Sequence, residues 1–299
     1  MTEAPLVSVC VTTYQHADFI EQCLRSIISQ KFGHVFEIIV GDDGSTDGTS
    51  EKCEAIARKN PELIRYFRRD RKDVIHINGK PTGRNNFIQN LNSARGRYIA
   101  LCEGDDFWTN DKKIAEQFSF MESDPQCSMC FTPAMKVNEK GEVLEKGVRI
   151  AKTKLTLDDF GAGNHSHTAT VFFRRSMLEK FPWEVFREVQ VGDYFLNCYL
   201  AKNGNVVQLP NESAAYRIHT GSSWGKMNVR DQLVKAIFVI FSVTEALQLD
   251  ELQKIPFYNG MKNCFAEYKR VSGGGNANDF ASAEGSAYDK KIKELFASA

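Results

Sequence analysis

Four short apolar runs in the first part of the chain are rich in β-branched and aromatic side chains. They are residues 6–12, 36–40, 63–67 and 97–102. Runs of this length predict strands that are buried on both faces. Between them, apolar residues recur at helical spacing, which predicts helices at 19–28, from about 47, and at 85–94. This alternation predicts βαβ units, and therefore an α/β fold whose mostly parallel sheet is flanked by helices.

The second part of the chain has a less regular pattern. Helices are predicted at residues 111–121 and 193–201, and strands at 127–137, 168–173, 206–209 and 214–218. From about residue 226 the pattern is helical, and it ends in a glycine-rich linker at 273–278 and a short polar helix. The sequence therefore predicts an α/β domain over residues 1–225 and a helical C-terminal extension over residues 226–299.

Polar residues follow three of the predicted strands. Residues 12–14 follow the first strand, Asp42-Asp43 the second, and Glu103-Gly-Asp105-Asp106 the fourth. In open parallel sheets, ligands bind beyond the carboxyl ends of the strands. These residues are therefore the first candidates for a binding site.

The run Cys102-Glu-Gly-Asp-Asp-Phe-Trp108 carries the strongest signal for chemistry. Its three carboxylates, on Glu103, Asp105 and Asp106, would repel one another unless a cation neutralised them. Mg²⁺ and Mn²⁺ prefer a few carboxylates together with the phosphate oxygens of a substrate. The motif therefore predicts a site for a divalent metal and a diphosphate. The alternative is an acidic surface turn in which Asp106 or Asp111 caps the next helix.

The loop from Asp42 to Gly48 allows three interpretations. The first is a calcium-binding EF-hand loop counted from Asp43, but a strand precedes the loop and Ser50 replaces the usual apolar residue. The second is a turn into a helix that Thr46 or Asp47 caps. The third is a nucleotide-recognition loop whose carboxylate accepts hydrogen bonds from a base or a ribose. The acidic motif after the fourth strand favours the third interpretation.

Composition and charge narrow the function classes. The formal net charge is zero, which disfavours nucleic acid as a partner, and the basic run 65–72 suits either phosphate contacts or a solvated strand end. Most of the eight cysteines lie in apolar segments, where a reduced thiol packs as a small hydrophobic group. No signal peptide is recognisable, and the apolar stretch 233–243 is too short to span a bilayer. We expect a cytoplasmic protein, and peripheral attachment to the inner face of the membrane stays open.

Motifs in a characteristic order extend over residues 5–225. They are Val7-Ser-Val-Cys-Val-Thr-Thr-Tyr14, Ile39-Val-Gly-Asp-Asp-Gly-Ser-Thr-Asp-Gly-Thr49, Gly83-Arg-Asn85, Ala94-Arg-Gly-Arg-Tyr-Ile99, Glu103-Gly-Asp-Asp-Phe-Trp108, Gly192-Asp193 and Tyr216-Arg-Ile-His-Thr-Gly-Ser-Ser-Trp224. Their order and spacing closely resemble family-two glycosyltransferases, which have the Rossmann-like GT-A fold. The resemblance implies an inverting transferase that moves a sugar from a nucleoside-diphosphate sugar to a hydroxyl acceptor with the help of Mn²⁺ or Mg²⁺.

The resemblance also implies which residues contact the donor. Thr12, Tyr14 and Asp43 would line the nucleoside pocket, with Asp43 facing the base. Arg84, in the Gly83-Arg-Asn85 motif, would belong to the same nucleotide-sugar site.

Further roles are implied for the acidic motif. Asp105 and Asp106 match the DxD-type site of the family, with Asp106 as the direct metal ligand and Asp105 as a contact to the ribose or the metal. Glu103 replaces the aspartate of many members, so its role stays open. His219 lies where some members place a phosphate or metal contact.

Asp193 matches the catalytic base of the family, which would deprotonate the acceptor hydroxyl. Its position at the start of a predicted helix also suits an N-cap. Trp224 is expected to line the acceptor site, and His165-Ser-His167, just before the predicted strand 168–173, is expected on the acceptor side. His16, His34 and His76 are expected in loops or at the surface.

Three other functions compete with a transferase. A dinucleotide-binding oxidoreductase is disfavoured, because no GxGxxG motif follows the first strand. A sugar-phosphate nucleotidyltransferase would need a glycine-rich basic loop there, and a non-catalytic nucleotide- or sugar-binding module would not need the carboxylates. The acceptor, which is a glycan, a lipid-linked molecule or a protein, stays open. The C-terminal helices are expected to pack on the catalytic domain, with dimerisation or membrane contact as alternatives. Among the roles that the resemblance implies, cell-envelope polysaccharide assembly is the one with the most family members.

Overall fold

The computed structural model describes residues 3–77, 79–221 and 227–273. The chain divides into two compact units. The first contains residues up to 154, 166–181 and 203–219, and the second contains 155–165, 182–202 and residues from 220 onward. The sequence-based division at residue 225 differs from these units, because 155–165 and 182–202 group with the C-terminal helices.

Two sheets dominate the first unit. Their strands, with one further hairpin, are β1 (Val7–Thr13), β2 (Phe36–Asp42), β3 (Ile64–Arg68), β4 (Ile75–Ile77), β5 (Lys80–Thr82), β6 (Tyr98–Glu103), β7 (Phe107–Trp108), β8 (Cys127–Phe131), β9 (Ala134–Val137), β10 (Val143–Glu145), β11 (Lys154–Leu155), β12 (Phe172–Arg174), β13 (Asn205–Gln208) and β14 (Ala214–Arg217). The large sheet has the order β11-β13-β8-β12-β6-β1-β2-β3, and the small sheet has the order β10-β9-β14-β7. Strands β3, β2, β1 and β6 are parallel, whereas β12 is antiparallel to both its neighbours. The predicted mostly parallel α/β sheet is confirmed.

Helices connect the parallel strands of this unit. They are α1 (Ile20–Ile28), α2 (Thr49–Lys59), α3 (Arg84–Ser93) and α4 (Lys113–Ser123). Helix α1 buries Ile20, Cys23, Leu24 and Ile27 in the core that also contains alternate residues of β1. Burial of each isoleucine or leucine stabilises this packing by about 1.5–3 kcal/mol.

Several local predictions were wrong. The predicted strand 127–137 is two strands in different sheets, because Pro133 lies between β8 and β9 and cannot donate to a strand ladder. The predicted strand 168–173 begins as a 3-10 helix at Thr168–Thr170. Helix α2 has Gly48 as its N-cap, with φ 102°, although Asp47 still accepts a hydrogen bond from the Thr49 N–H.

The parallel register brings the polar strand ends together. Thr12 is level with Gly41 of β2 and with Glu103 of β6, and Thr13 is level with Asp42. The Asp43 N–H donates to the Thr13 carbonyl and the Gly104 N–H to the Thr12 carbonyl. The residues that follow β1, β2 and β6 therefore lie at one edge of the sheet, as predicted.

The second unit is helical. Its α-helices are α5 (Trp183–Glu188), α6 (Gly192–Lys202), α7 (Val229–Ala246) and α8 (Glu251–Ser272), with a 3-10 helix at Leu157–Ala162. Asn228 caps α7, and Asp250 and Gln253 form a capping box on α8. Gly260 of α8 lies so close to the Gly161 carbonyl that a Cβ would be 1.8 Å from its oxygen, so glycine is required at this crossing. None of the described helices combines the length and the apolar composition that a membrane span needs.

The predicted helical pattern after residue 226 is confirmed by α7 and α8. The predicted linker continues beyond Gly273, and that part and the predicted polar helix after it lie outside the described residues.

Candidate functional site

Asp42 is a structural acid at the end of β2. Its Oδ1 accepts hydrogen bonds from the Ser45 N–H at 3.1 Å and the Ser45 hydroxyl at 2.5 Å. Its Oδ2 accepts from the hydroxyls of Ser50 and Tyr66. The carboxylate is fully buried, and both of its oxygens have partners.

Asp43, the next residue, faces a cation. Arg71 Nη1 lies 2.8 Å from Asp43 Oδ2, and the Arg71 guanidinium lies 4.2 Å from the centre of the Tyr14 ring. Burial raises the pKa of Asp43, and the charge of Arg71 opposes this shift. Arg71 therefore links two residues of the expected nucleoside pocket, which combines an aromatic face, a cation and a carboxylate.

The calcium-loop interpretation of residues 43–54 is not supported. The Asp43 carboxylate pairs with Arg71, the Ser45 hydroxyl donates to Asp42, and the Asp47 carboxylate accepts from Ala17 and Thr49. The possible ligands thus have protein partners, and neither metal-capable group in the described part of the chain includes this loop.

Asp106 has one satisfied and one unsatisfied oxygen. Its Oδ1 accepts the Arg217 N–H at 2.8 Å, whereas its Oδ2 has no hydrogen-bond partner among the described residues. The side chain is 1% exposed. Burial and the neighbouring charges of Asp105 and Glu103 raise the pKa of Asp106 well above its ordinary value. A buried carboxylate oxygen in this state is what a bound cation would satisfy.

Asp105 lies between the acids and two histidines. His219 Nε2 is 3.0 Å from Asp105 Oδ2, and His16 Nε2 is 3.8 Å from the same oxygen. Burial raises the pKa of Asp105, but the hydrogen bond with His219, the charges of the two histidines and a backbone hydrogen bond together outweigh burial and leave the pKa below the usual range.

The side chain of Arg217 holds the acidic loop in place through hydrogen bonds. Its Nε donates to the Asp105 carbonyl at 2.8 Å and its Nη2 to Gln22 at 2.6 Å. Its guanidinium lies over the Phe19 ring, 4.8 Å from the ring centre. The guanidinium is thus bonded to the backbone of the loop, so that the carboxylates of Asp105 and Asp106 stay available to other partners.

These residues fit a divalent cation. The ligand atoms of Glu103, Asp105 and Asp106 lie within 4.8 Å of one another, and so do those of His16, Asp105 and His219. Asp105 belongs to both groups. The mixture of carboxylate and imidazole donors suits Mn²⁺ and related transition ions as well as Mg²⁺. The acidic-turn alternative is wrong, since α4 begins after Lys112 and neither Asp106 nor Asp111 caps it.

The expected site residues are partly brought together. All but one of those described lie in the first unit: Thr12 is inside β1 near its end, and the others are on the segments that follow β1, β2, β6 and β14, namely Tyr14, Asp43, Asp105, Asp106 and His219. Arg84 opens α3 of the same unit, where it is 8% exposed and its N–H lies 3.4 Å from the Thr82 hydroxyl.

Asp193 lies in the second unit, as the second residue of α6. Its Oδ2 accepts a hydrogen bond from Asn164 at 3.0 Å, and Asn197 donates to Asn164 at 2.9 Å. The N-cap alternative does not hold, because α6 already begins at Gly192. Trp224, expected to line the acceptor site, lies outside the described residues.

Sequence reasoning gave no individual role to three residues of the site, namely His16, Arg71 and Arg217, although Arg71 lies in the basic run 65–72 and Arg217 in the motif that begins at Tyr216. His16 lies in a loop, as predicted, but its side chain is only 17% exposed and approaches Asp105. His34 and His76 are exposed, as predicted. A usable signal for His16 was its position two residues after the motif of residues 12–14, and for Arg71 its place in the basic run after β3.

The expected acceptor-side histidines have different neighbours. His167 stacks on Tyr216, with ring centres 4.6 Å apart, in the first unit. His165 belongs to the second unit and hydrogen-bonds the Asp159 carbonyl. Neither histidine belongs to a group of possible metal ligands in the described ranges. Their location on the acceptor side of the site stays a prediction.

Comparison with known proteins identifies the family. The chain belongs to Glycosyl transferase family 2, whose family model matches residues 8–181. A protein of Mycobacterium tuberculosis is 29% identical over 219 residues, which cover 73% of this chain and 60% of that protein. A Bacillus subtilis protein, TuaG, whose name provisionally assigns it as a teichuronic acid biosynthesis glycosyltransferase, is 32% identical over 52% of this chain and 56% of its own length. The chain thus spans about 60% of the length of the curated relatives that it matches.

Solved structures show the same fold. Staphylococcus aureus TarS, residues 1–349, has a TM-score of 0.61 at 16% identity, covering 89% of this chain and 73% of that one. The mannosyltransferase PcManGT of Pyrobaculum calidifontis, solved with GDP-Man and Mn²⁺, has a TM-score of 0.58 at 16% identity, covering 99% of this chain and 85% of that one. The expected GT-A fold is confirmed.

Proposed function

We propose that this protein is an inverting glycosyltransferase that moves a sugar from a nucleoside-diphosphate sugar to a hydroxyl acceptor with the help of a divalent ion. The observation that carries the proposal is the buried Asp106 Oδ2, which has no hydrogen-bond partner among the residues that the structure describes and lies beside Asp105, at the same sheet edge as Asp43. The family membership supports it, as do the nucleotide-sugar complexes named for TarS and PcManGT.

The donor would be bound by the ends of β1, β2 and β6. Tyr14 and Asp43, linked by Arg71, offer the nucleoside an aromatic face and a hydrogen-bond acceptor. Asp105 and Asp106 would hold the ion, and His219, whose Nε2 lies 3.0 Å from Asp105 Oδ2, would be a further ligand. The ion, when bound, would neutralise charge on the departing diphosphate. Arg217 keeps the acidic loop in place through its hydrogen bond to the Asp105 carbonyl.

Asp193 would act as the general base that accepts the proton of the attacking hydroxyl. The match of Gly192-Asp193 to the family motif supports this role. Asn164 donates to Asp193 Oδ2 and would orient the carboxylate. A carboxylate that removes the acceptor proton permits in-line attack and inversion at the anomeric carbon.

The acceptor is proposed to be a growing cell-envelope polysaccharide. The name of TuaG, which refers to teichuronic acid, supports a polysaccharide acceptor rather than a protein.

A thermal-shift screen of UDP, GDP and related diphosphates, each with and without Mn²⁺, tests donor binding. A bound ligand raises the melting temperature by mass action, by an amount equivalent to about 2.7 kcal/mol at 100 times its Kd. We expect one base to be selected and the shift to need Mn²⁺. If no nucleoside diphosphate changed the melting temperature with either Mn²⁺ or Mg²⁺, the proposed donor would be wrong.

The base is tested with Asp193→Ala. The variant is expected to lose transfer by about 10³-fold while nucleotide binding stays near the wild-type value. The anomeric configuration of the product is measured by NMR. Full activity of Asp193→Ala, or retention of the donor configuration, would contradict the base or the inversion, respectively.

A further inference from the structure

His16 is held at the acidic loop by an unusual turn. The preceding residue, Gln15, has a left-handed backbone with φ 56°, a conformation that is uncommon for a residue other than glycine. Its N–H donates to Ser45 and its side-chain oxygen accepts from the Thr46 N–H, at 2.9 and 2.8 Å. The His16 N–H donates to Thr49 at 2.8 Å. Three hydrogen bonds, two to the β2–α2 loop and one to the first residue of α2, thus fix the backbone that carries the imidazole, and strain of this kind concentrates at functional sites.

The imidazole of His16 is oriented as well as placed. Its Nδ1 lies 3.3 Å from the Thr13 hydroxyl, so Nε2 is the nitrogen that faces Asp105. Gly104 packs against the same ring, because a Cβ there would be 3.0 Å from His16 Nδ1 and 2.5 Å from Thr13 Oγ1. The glycine of the Glu-Gly-Asp-Asp motif therefore makes room for His16.

The distances suit a shared ion. From Asp105 Oδ2 to the Nε2 atoms of His219 and His16 the separations are 3.0 and 3.8 Å. Neighbouring donor atoms on an ion with bonds of about 2.1 Å are about 3.0–3.4 Å apart. The rings of His16 and His219 are nearly perpendicular, at 88°, with centres 6.1 Å apart, so both nitrogens approach Asp105 without the rings colliding. Small side-chain movements would bring all three donors to one ion.

We propose that His16 is a metal ligand, so that His16, Asp105 and His219 form a nitrogen-rich face of the divalent-ion site, and that this face selects Mn²⁺ over Mg²⁺. Mg²⁺ prefers oxygen donors and gives up its water reluctantly, whereas imidazole favours transition ions. The acids alone, Glu103, Asp105 and Asp106, would not discriminate in this way. The inference rests on the proposed function for the presence of an ion, and it adds a residue and a selectivity.

Electron paramagnetic resonance of Mn²⁺ tests the proposal without measuring turnover. The signal of free Mn²⁺ is titrated with wild-type protein and with His16→Asn, whose amide can reach the Thr13 hydroxyl but not the position of Nε2. Mg²⁺ affinity is obtained from displacement of Mn²⁺. We expect His16→Asn to weaken Mn²⁺ binding by about 10- to 100-fold and Mg²⁺ binding by about twofold or less. His16→Gln, which can place an amide oxygen near the position of Nε2, should recover part of the loss.

Controls separate folding from binding. His76→Asn changes an exposed histidine and should leave both affinities unchanged. The melting temperature in EDTA shows whether His16→Asn is folded, and His16→Gln provides a second variant if it is not. Unchanged Mn²⁺ binding in the folded variants, or equal losses for Mn²⁺ and Mg²⁺, would overturn the proposal.

The same proteins distinguish this inference from the proposed function. If a nucleoside diphosphate stabilises the wild type with Mn²⁺ but the His16 variants bind Mn²⁺ normally, only the role of His16 is wrong. If His16 variants lose Mn²⁺ but no nucleoside diphosphate binds the wild type, the role of His16 stands and the proposed function is wrong. If the wild type binds no Mn²⁺ with or without a nucleoside diphosphate, both the His16 site and the metal dependence are wrong.

Discussion

Two aspartate pairs follow strands of the same sheet, Asp42-Asp43 after β2 and Asp105-Asp106 after β6. In the first pair, hydroxyls and a backbone N–H satisfy Asp42, and Arg71 neutralises Asp43. In the second pair, the side chains nearest the carboxylates are histidines and a further acid, and the Arg217 guanidinium donates to the Asp105 carbonyl rather than to a carboxylate. One oxygen of Asp106 is left without a hydrogen bond in the part of the chain that the structure describes.

The difference lies in the source of the positive charge. The chain supplies its own cation, Arg71, to the first pair, so the carboxylates of this loop have their partners as soon as the protein folds. The second pair gathers negative charge in a buried place, where an unpaired ionised carboxylate is costly. The carboxylates of such a loop are neutralised only by a bound cation or a proton. We infer that the second pair, rather than the first, binds the ion that takes part in the reaction.

The largest effect is expected for Asp106→Asn. Removal of the ligand should lower transfer activity by about 10³-fold, or about 4 kcal/mol of activation free energy, and should abolish stabilisation by Mn²⁺. Without metal, the variant should be more stable than wild type by about 1 kcal/mol, because a buried like-charge contact is removed. Urea unfolding in EDTA measures the stability. Asp111→Asn, an exposed acid paired with Lys31, is the control. A variant that is less stable in EDTA would show that Asp106 is a structural acid like Asp42.

A loss of stability rather than of chemistry is expected for Asp42→Asn. One oxygen and the charge disappear from a buried network of hydroxyls, which should cost about 2–4 kcal/mol in the free energy of unfolding. Urea denaturation measures the change. Glu54→Gln, in an exposed pair with Arg58, should cost about 0.5 kcal/mol or less. If Asp42→Asn were as stable as wild type, the contrast between the two pairs would fail.

Lys113 is a buried cation on α4, the helix that follows the second pair along the chain. This lysine of α4 is 1% exposed, donates to Gln117 at 2.5 Å and lies 4.4 Å from the centre of the Trp108 ring. Burial lowers its pKa to about 8. Protonation therefore destabilises the folded state below pH 8, and this cost disappears as the pH rises toward the unfolded pKa of about 10.4.

Lys113→Met removes that titration. The variant should be more stable than wild type at pH 7, because it avoids the cost of a buried protonated lysine. This difference in the free energy of unfolding should shrink by about 1 kcal/mol between pH 7 and pH 9, since the wild type loses much of that cost over this range. The free energy of unfolding of both proteins is measured at each pH, so that other titrating groups cancel in the difference. Lys112→Met, at the adjacent exposed position, should show no such trend. A pH-independent difference would mean that Lys113 has a near-normal pKa and a charge partner.

The smallest effect is expected for Arg71→Met. The ion pair with Asp43 is partly exposed on the arginine side, so its loss should weaken nucleoside-diphosphate binding by about two- to fivefold. Without Arg71, the pKa of Asp43 should rise further, and binding should weaken at a higher pH than in the wild type. Isothermal titration from pH 5 to pH 8 measures this, with Lys72→Met as the exposed control. If binding strengthened, Arg71 would be competing with the base for Tyr14.

The sheet and its strand ends were predictable because of how they are buried. Strands covered on both faces read as continuous apolar runs, so β1, β2 and β6 and the motifs after them followed directly from the pattern. The division of 127–137 into β8 and β9 was missed although Pro133 signals it. His16 was missed because the turn at Gln15 uses a left-handed residue that is not glycine, which a residue pattern does not reveal.

By itself, the sequence determined the α/β fold, the order of the motifs and the residues at the strand ends, because these follow from local periodicity and chain order. Only the tertiary structure decided which carboxylate oxygens have partners. The Asp106 Oδ1 is satisfied by an N–H 111 residues away, at Arg217, and Asp105 meets a histidine 114 residues away. Such partners meet only after the sheets have assembled. The carboxylate oxygen of Asp106 that has no partner within the described ranges, and hence the proposed metal site, is a property of the folded chain.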